Sequence, residues 1–173
     1  MTPVSDPQVT GFDPVRLIQT HQAGVWRYLR ALGCDAALAD DLSQDTFLAV
    51  LRRPFQELSP TATSAYLRKT ALHMLISHER RHGRVRPSDD IEMLDRTWTR
   101  WAGDDDGEAV LDYLRDCLQR LTDRARQALE MRFRGGHSRA EIAQALDITQ
   151  DGAKNLMQRA KQQLRECVET KLK

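Results

Sequence analysis

Residues that build sheets or brace small scaffolds are scarce in this sequence. Aromatics make up 6% of 173 residues, glycine and proline number nine and six, and strict apolar–polar alternation is nearly absent. Without period-two runs and the turns that separate them, there is little from which to make strands. The chain therefore reads as all-α. Cysteine is scarce too. Cys34, Cys117 and Cys167 are odd in number and far apart, poor material for a disulfide framework and suited to a reducing cytosol. Nowhere is there an apolar run long enough to span a bilayer. The opening Met1-Thr2-Pro3-Val4-Ser5-Asp6-Pro7 has neither a basic nor an apolar stretch. A soluble, cytoplasmic protein with no membrane insertion is expected. Excess charge of one sign is also lacking: 26 Lys and Arg face 25 Asp and Glu, for a net charge of +1. That excludes a uniformly basic coat, so nucleic-acid binding has to come from local patches. There is no glycine-rich phosphate loop and no credible Ser/His/Asp set; neither a cofactor nor a resident metal is expected.

The most informative stretch is Ser138 to Arg165. Ser138 and Glu141 form a capping box, each side chain satisfying a backbone N–H left free at a helix start. Ile142, Ala143 and Leu146 give that helix one short apolar face. Asp147 and Ile148 stop it, and Thr149 can cap a second helix. There Ala153, Leu156, Met157, Ala160 and Leu164 form an apolar stripe at helical spacing. The opposite face carries Gln150, Lys154, Asn155, Gln158, Arg159 and Lys161, groups that bind phosphates and read base edges. Two short helices on a tight turn, the second basic outside, make a helix-turn-helix pattern. The plainer alternative is a helical hairpin with a solvated face.

In chain order, residues 1 to 11 read as a loose tail. Asp13-Pro14 starts a helix that carries Ile18, Val25, Leu29 and Leu32 and ends at Gly33. Asp35 caps the next, running through Leu38, Leu42 and Val50 to Pro54. Residues 55–63 read as a loop, and Thr63 or Ser64 caps a third helix from Tyr66 to about His82, with Leu67, Ala71 and Leu75 inward. From 84 to 107 the pattern breaks: Pro87, Gly103 and Gly107 punctuate it, and seven Asp or Glu make it acidic. A flexible linker with one helical turn around Ile91 to Leu94 is expected. Trp98 and Trp101 either pack onto a neighbouring domain or are held for a partner. Leu111, Leu114, Leu118 and Leu121 then open a second helical domain, in which Thr122 caps a helix carrying Leu129 and Phe133. The expected architecture is two small helical domains, residues 12–83 and 108–170, on an acidic tether, 84–107.

One competing chemistry is written in the chain. His78-Glu79-Arg80-Arg81-His82 is a literal HExxH on a helix, two histidines one turn apart that could share a zinc with Glu79 as base. Two arginines inside the motif, Gly83 directly after it, and Val85 and Ser88 where an extended motif needs Gly and His all oppose a zinc metalloprotease. No enzymatic activity is expected.

Both domains resemble one family, the sigma-70-type initiation factors of bacterial RNA polymerase, in the small extracytoplasmic-function (ECF) group. Asp40-Asp41-Leu42-Ser43-Gln44-Asp45-Thr46-Phe47-Leu48 resembles the family's (A/D)-(E/D)-D-L-V-Q-(E/D)-T-F-L. Tyr66-Leu67-Arg68-Lys69-Thr70-Ala71 is similar to the W-L-x-x-I-A that starts the promoter-melting helix. Leu121 to Phe133 resembles the start of the fourth sigma domain, and Ser138 to Ala160 its S-x-x-E-I-A…R-A helix-turn-helix. The matches run in order along nearly the whole chain, the acidic linker excepted.

The resemblance implies a fold: sigma domain 2, a three-helix-type bundle, and sigma domain 4, the helix-turn-helix. It implies a dissociable subunit that binds core polymerase at the largest-subunit clamp and the flap and directs promoter-specific initiation. An anti-sigma factor is a further partner implied by the family alone. Core contacts would fall to Asp40, Asp41, Gln44, Asp45 and Phe47. The minus-10 element would fall to Thr61, Thr63, Ser64, Tyr66, Arg68, Lys69, His73, Arg80 and Arg81, through short polar groups, stacking and phosphate contacts. Tyr66 replaces the family's Trp, with core packing its alternative role, and His73 stands where Asn is usual. The minus-35 element would fall to Arg139, Gln150, Asp151, Lys154, Asn155, Gln158 and Arg159. Asp151 and Gly152 occupy the family's Gly and Thr positions, so that Thr contact does not carry over. A helix-turn-helix repressor acting without polymerase is the rival reading; it leaves the Asp41-Leu42-Ser43-Gln44 helix unexplained.

Overall fold

The computed structural model describes residues 12–57, 59–103 and 106–173, and among these the chain forms eight helices and no strand. The expected tail, residues 1–11, lies outside the described residues.

Caps place the first three helices. Asp13 Oδ1 accepts from the N–H groups of Val15 and Arg16, with Pro14 at the first position of α1 (Pro14–Ala31). Asp35 accepts from Leu38 at 2.8 Å to start α2 (Ala36–Leu51). Helix α3 (Pro60–Arg81) begins earlier than expected, because Ser59 rather than Thr63 or Ser64 is the cap; its Oγ accepts from Ala62 at 3.1 Å. Pro60 has no N–H to waste and a φ suited to the first turn. Residues 61–64 therefore lie on a helix and not in a loop. Leu17, Val25 and Leu29 from α1, Leu42 and Val50 from α2, and Leu67 and Leu75 from α3 form a first core. Cys34 is buried against it, and burial pushes its thiol up to about 12.

The linker expectation is corrected. Instead of a flexible tether with one turn, residues 84–107 contain α4 (Ser88–Ala102). Asp89 and Asp90 sit in its first turn, where the helix dipole favours them. Leu94, Trp98 and Trp101 recur at helical spacing, and that stripe packs onto the first core. Trp98 is 3% exposed, its ring 6.1 Å from that of Tyr28, and the Tyr28 hydroxyl donates to Asp95 at 2.7 Å. Both tryptophans therefore take the packing role.

A second core joins α5 (Val110–Gln119), α6 (Asp123–Phe133), α7 (Arg139–Ala145) and α8 (Gln150–Lys171), through Leu121, Ala128, Leu129, Ile142, Ala153 and Met157. Val110 and Leu111 pack on the first core while Leu118 packs on the second, so α5 belongs to both. Helix α4 is tied to the second core as well. Asp90 pairs with Arg132 of α6 at 2.9 Å, and Arg100 with Glu169 of α8. At the end of α1, Gly33 has φ 95°, and a Cβ there would collide with the Phe133 carbonyl oxygen.

The expectation that the cysteines stay unpaired is also overturned: Cys117 of α5 is bonded to Cys167 of α8, with Cα atoms 5.9 Å apart. The pairing needs the α5–α8 contact, and no spacing in the sequence announces it. Closing 50 residues of chain restricts the unfolded state by about 4 kcal/mol in the chain-entropy model. Reduction, or Cys167→Ser, is expected to lower the urea midpoint accordingly without changing the circular dichroism of the native state.

Candidate nucleic-acid interface

The turn between α7 and α8 is built by short-range contacts. Ser138 Oγ accepts from the Glu141 N–H at 3.2 Å, and the Glu141 carboxylate accepts from the Ser138 N–H at 2.6 Å. The Ser138 backbone N–H foremost, and then the Ser138 hydroxyl, hold the Glu141 carboxyl below the usual carboxylate range. Asp147 turns the chain at φ 52°, a region Asp tolerates better than most residues. Arg124 of α6 donates to the Leu146 carbonyl and clamps the turn to the second core. Thr149 Oγ1 accepts from Gly152 at 3.0 Å to start α8.

From that start, α8 buries Ala153, Met157 and Ala160. Gln150, Asp151, Lys154, Asn155, Gln158 and Arg159 are left exposed, and Arg139 is exposed at the start of α7. None of these seven side chains has a hydrogen bond or ion pair among the described residues. The structure thus leaves every predicted minus-35 residue exposed and, among the described residues, without an internal side-chain partner. Lys161, placed by periodicity on that face, is instead half-buried and lines the space between the two cores.

On α3 the predicted residues divide. Thr63 is 2% exposed, which removes it from any surface contact; packing of the first helical turn, not a loop, decides this. The Ser64 hydroxyl lies 3.1 Å from His21 Nδ1 and donates to Asp106 at 3.4 Å. Thr61, Tyr66, Lys69, His73, Arg80 and Arg81 are exposed, and Arg68 is half-buried. Tyr66, Lys69, His73 and Arg80 follow one another at steps of three, four and seven residues, so they share one stripe. Tyr66, 43% exposed, stacks on Phe55 at 5.4 Å, and Phe12 meets Phe55 edge-on at 5.5 Å. Phe55 and Phe12 extend the aromatic surface and were missed, since neither lies in a periodic run. After α3, Arg84 donates to the Arg134 carbonyl and Arg86 to that of Leu32.

Residues 17–85 match the model of sigma-70 region 2, and residues 111–164 that of sigma-70 region 4. The ECF RNA polymerase sigma factor SigL of Mycobacterium tuberculosis, in strains H37Rv and CDC 1551, is 32% identical over 154 residues, 86% of this chain and 85% of that protein. The chain belongs to the sigma-70 family, in its ECF group. It acts with core RNA polymerase and promoter DNA to initiate transcription, and the family is one of initiation factors rather than enzymes. Among solved structures, a chain of an RsbN–BldN complex aligns at 23% identity over 89% of this chain and 90% of that one, with a TM-score of 0.33.

In this sigma factor the region 2 match spans α1 to α3, and the region 4 match spans α5 through most of α8. Asp40, Asp41, Gln44 and Asp45 are exposed on α2. Phe47 is not: at 5% exposure it belongs to the first core, because α2 turns it inward beside Ser43 and Val50. The next residue, Leu48, is 50% exposed and Leu51 36%. Gln44, Leu48 and Leu51 share a face, so α2 presents apolar area beside its carboxylates. Spacing by four and three from Gln44 was the signal for them. Glu79 of the HExxH string is 7% exposed and lies 2.7 Å from Arg86 Nε, an ion pair by distance without hydrogen-bond alignment. The His78 and His82 rings stack on each other at 4.1 Å. Glu79 thus ties α3 to the following segment.

Proposed function

We propose that this sigma factor divides its work between residues 12–83 and 108–170, joined by 84–107. The exposed face of α2, with Asp40, Asp41, Gln44, Asp45 and Leu48, docks on the clamp of core polymerase. The stripe Tyr66, Lys69, His73 and Arg80 on α3, with Thr61, Ser64, Arg68 and Arg81 beside it, holds the minus-10 strand. Helix α8 enters the major groove at the minus-35 element, with Arg139, Lys154 and Arg159 on phosphates and Gln150, Asn155 and Gln158 on base edges. Two weak sites on one chain act as one, since the second contact is intramolecular. The protein works in the cytoplasm, where no membrane-spanning helix is needed; among the described residues none is long and apolar enough to be one. An anti-sigma factor would compete for the same α2 and α8 faces.

The observation that carries this reading is the set of seven unpartnered polar side chains on α7 and α8. Abortive transcription with core polymerase, with and without the protein, tests it on a promoter library. Promoter-specific RNA is expected only with both. Lys154→Ala and Arg159→Ala are expected to weaken binding on all sequences and to lower the salt slope by about one each. Asn155→Ala is expected to cost about 1–3 kcal/mol and relax one base preference. Leu48→Asp is expected to weaken core binding by about tenfold or more with an unchanged melting temperature. Specific duplex binding by the free protein, with no RNA initiated, would instead show a repressor.

A further inference from the structure

Between the two cores lies a cavity of about 170 Å³. Leu94, Trp98 and Trp101 of α4 line one side, and Leu114, Phe133 and Leu164 from α5, α6 and α8 the other. A dry apolar cavity of about 150 Å³ admits a body the size of benzene. One feature makes this space more than a packing defect: the charges on its lining are one-sided. Arg30, Arg134, Lys161 and Arg165 face a single carboxylate, Glu130. Arg134, Lys161 and Arg165 form no ion pair among the described residues, and Arg30 lies over the Trp26 ring at 5.4 Å.

We propose that this cavity is a binding site for a small monocarboxylic acid with an apolar, single-ring-sized body. The body fills the apolar space, and the negative charge lies among the cations. A hydrocarbon of the same size has no charge to offer, and an organic cation meets four positive groups. Because the lining comes from both cores, a bound acid adds contacts across the join. A ligand that binds only the closed arrangement stabilises it by mass action, and separating the cores expels it. Any consequence for assembly with polymerase rests on the function proposed above; binding itself does not.

The test is a titration of the full chain with phenylacetate, with toluene and benzylamine as neutral and cationic counterparts. Tryptophan fluorescence and melting temperature are the readouts. Phenylacetate is expected to give a saturable change and a higher melting temperature, toluene about tenfold weaker binding, and benzylamine none. Lys161→Glu and Arg165→Glu, exchanged at side chains with no partner to lose, are expected to cut phenylacetate affinity about tenfold while leaving toluene unchanged. Leu114→Trp should fill the space and abolish both. No saturable change up to the solubility limit, equal affinity for all three compounds, or phenylacetate binding indifferent to both charge reversals would each overturn the proposal. The titration uses neither polymerase nor DNA, so its failure would leave the initiation-factor reading standing.

Discussion

Trp98→Ala is expected to lower the unfolding free energy by about 3–5 kcal/mol, the range for removing a buried large aromatic. Trp98 is 3% exposed and packs on Tyr28, and the chain after α4 closes over it: a Cβ on Gly107 would lie 2.7 Å from the indole. Its removal takes away the largest side chain holding α4 to α1 and opens the adjoining cavity. For a chain of this size the loss corresponds to a fall in melting temperature of about 10 °C, read by calorimetry. A change under about 2 °C would show that α4 is not docked in solution. The same contact predicts an alkaline effect. Burial first, then the hydrogen bond to Asp95, raises the Tyr28 phenol above its ordinary 10.0. A folded-state value above the unfolded one means that the stabilisation is complete below pH 10 and is lost as pH rises beyond it. Tyr28→Phe should remove that alkaline decline.

Breaking the Glu79–Arg86 pair should cost as much. Glu79→Ala leaves the Arg86 guanidinium, with its side chain 10% exposed, without its counter-charge, and such a loss costs about 3–5 kcal/mol. Arg86 also donates to the Leu32 carbonyl, where a cation suits the end of α1, so its displacement would loosen two helices. Urea unfolding measures the effect. The double variant Glu79→Met, Arg86→Leu should recover much of the loss, since an apolar pair of similar volume has no charge to desolvate. Equal loss in the single and double variants would place the energy in packing rather than in the pair. A metalloprotease would behave in the opposite way, losing activity in Glu79→Gln while keeping its stability.

The elements most legible in the sequence are those held by contacts two to four residues apart. Asp13-Pro14, Asp35, Thr122, Ser138 with Glu141, and Thr149 all cap helices as their local chemistry requires. The exposed face of α8 follows in the same way from the stripe opposite it. Ser59 is the instructive exception, since several hydroxyl residues competed for one cap and Pro60 favoured the earliest. Phe47 and Leu48 show a different limit: neighbours on a helix point about 100° apart, and the motif contains both.

By itself, then, the sequence determined an all-α chain, its helix starts, the sigma-70 resemblance and the free polar face of α8, because capping and amphipathicity are local. Only the tertiary structure decided that 88–102 is a packed helix, since its apolar stripe is stable only once the first core lies against it. It alone paired Cys117 with Cys167, turned Phe47 in and Leu48 out, drew Lys161 towards the join and formed the cavity between the cores. Each of these depends on which surfaces meet across long stretches of chain, and a surface carries no record of its partner until the two are brought together.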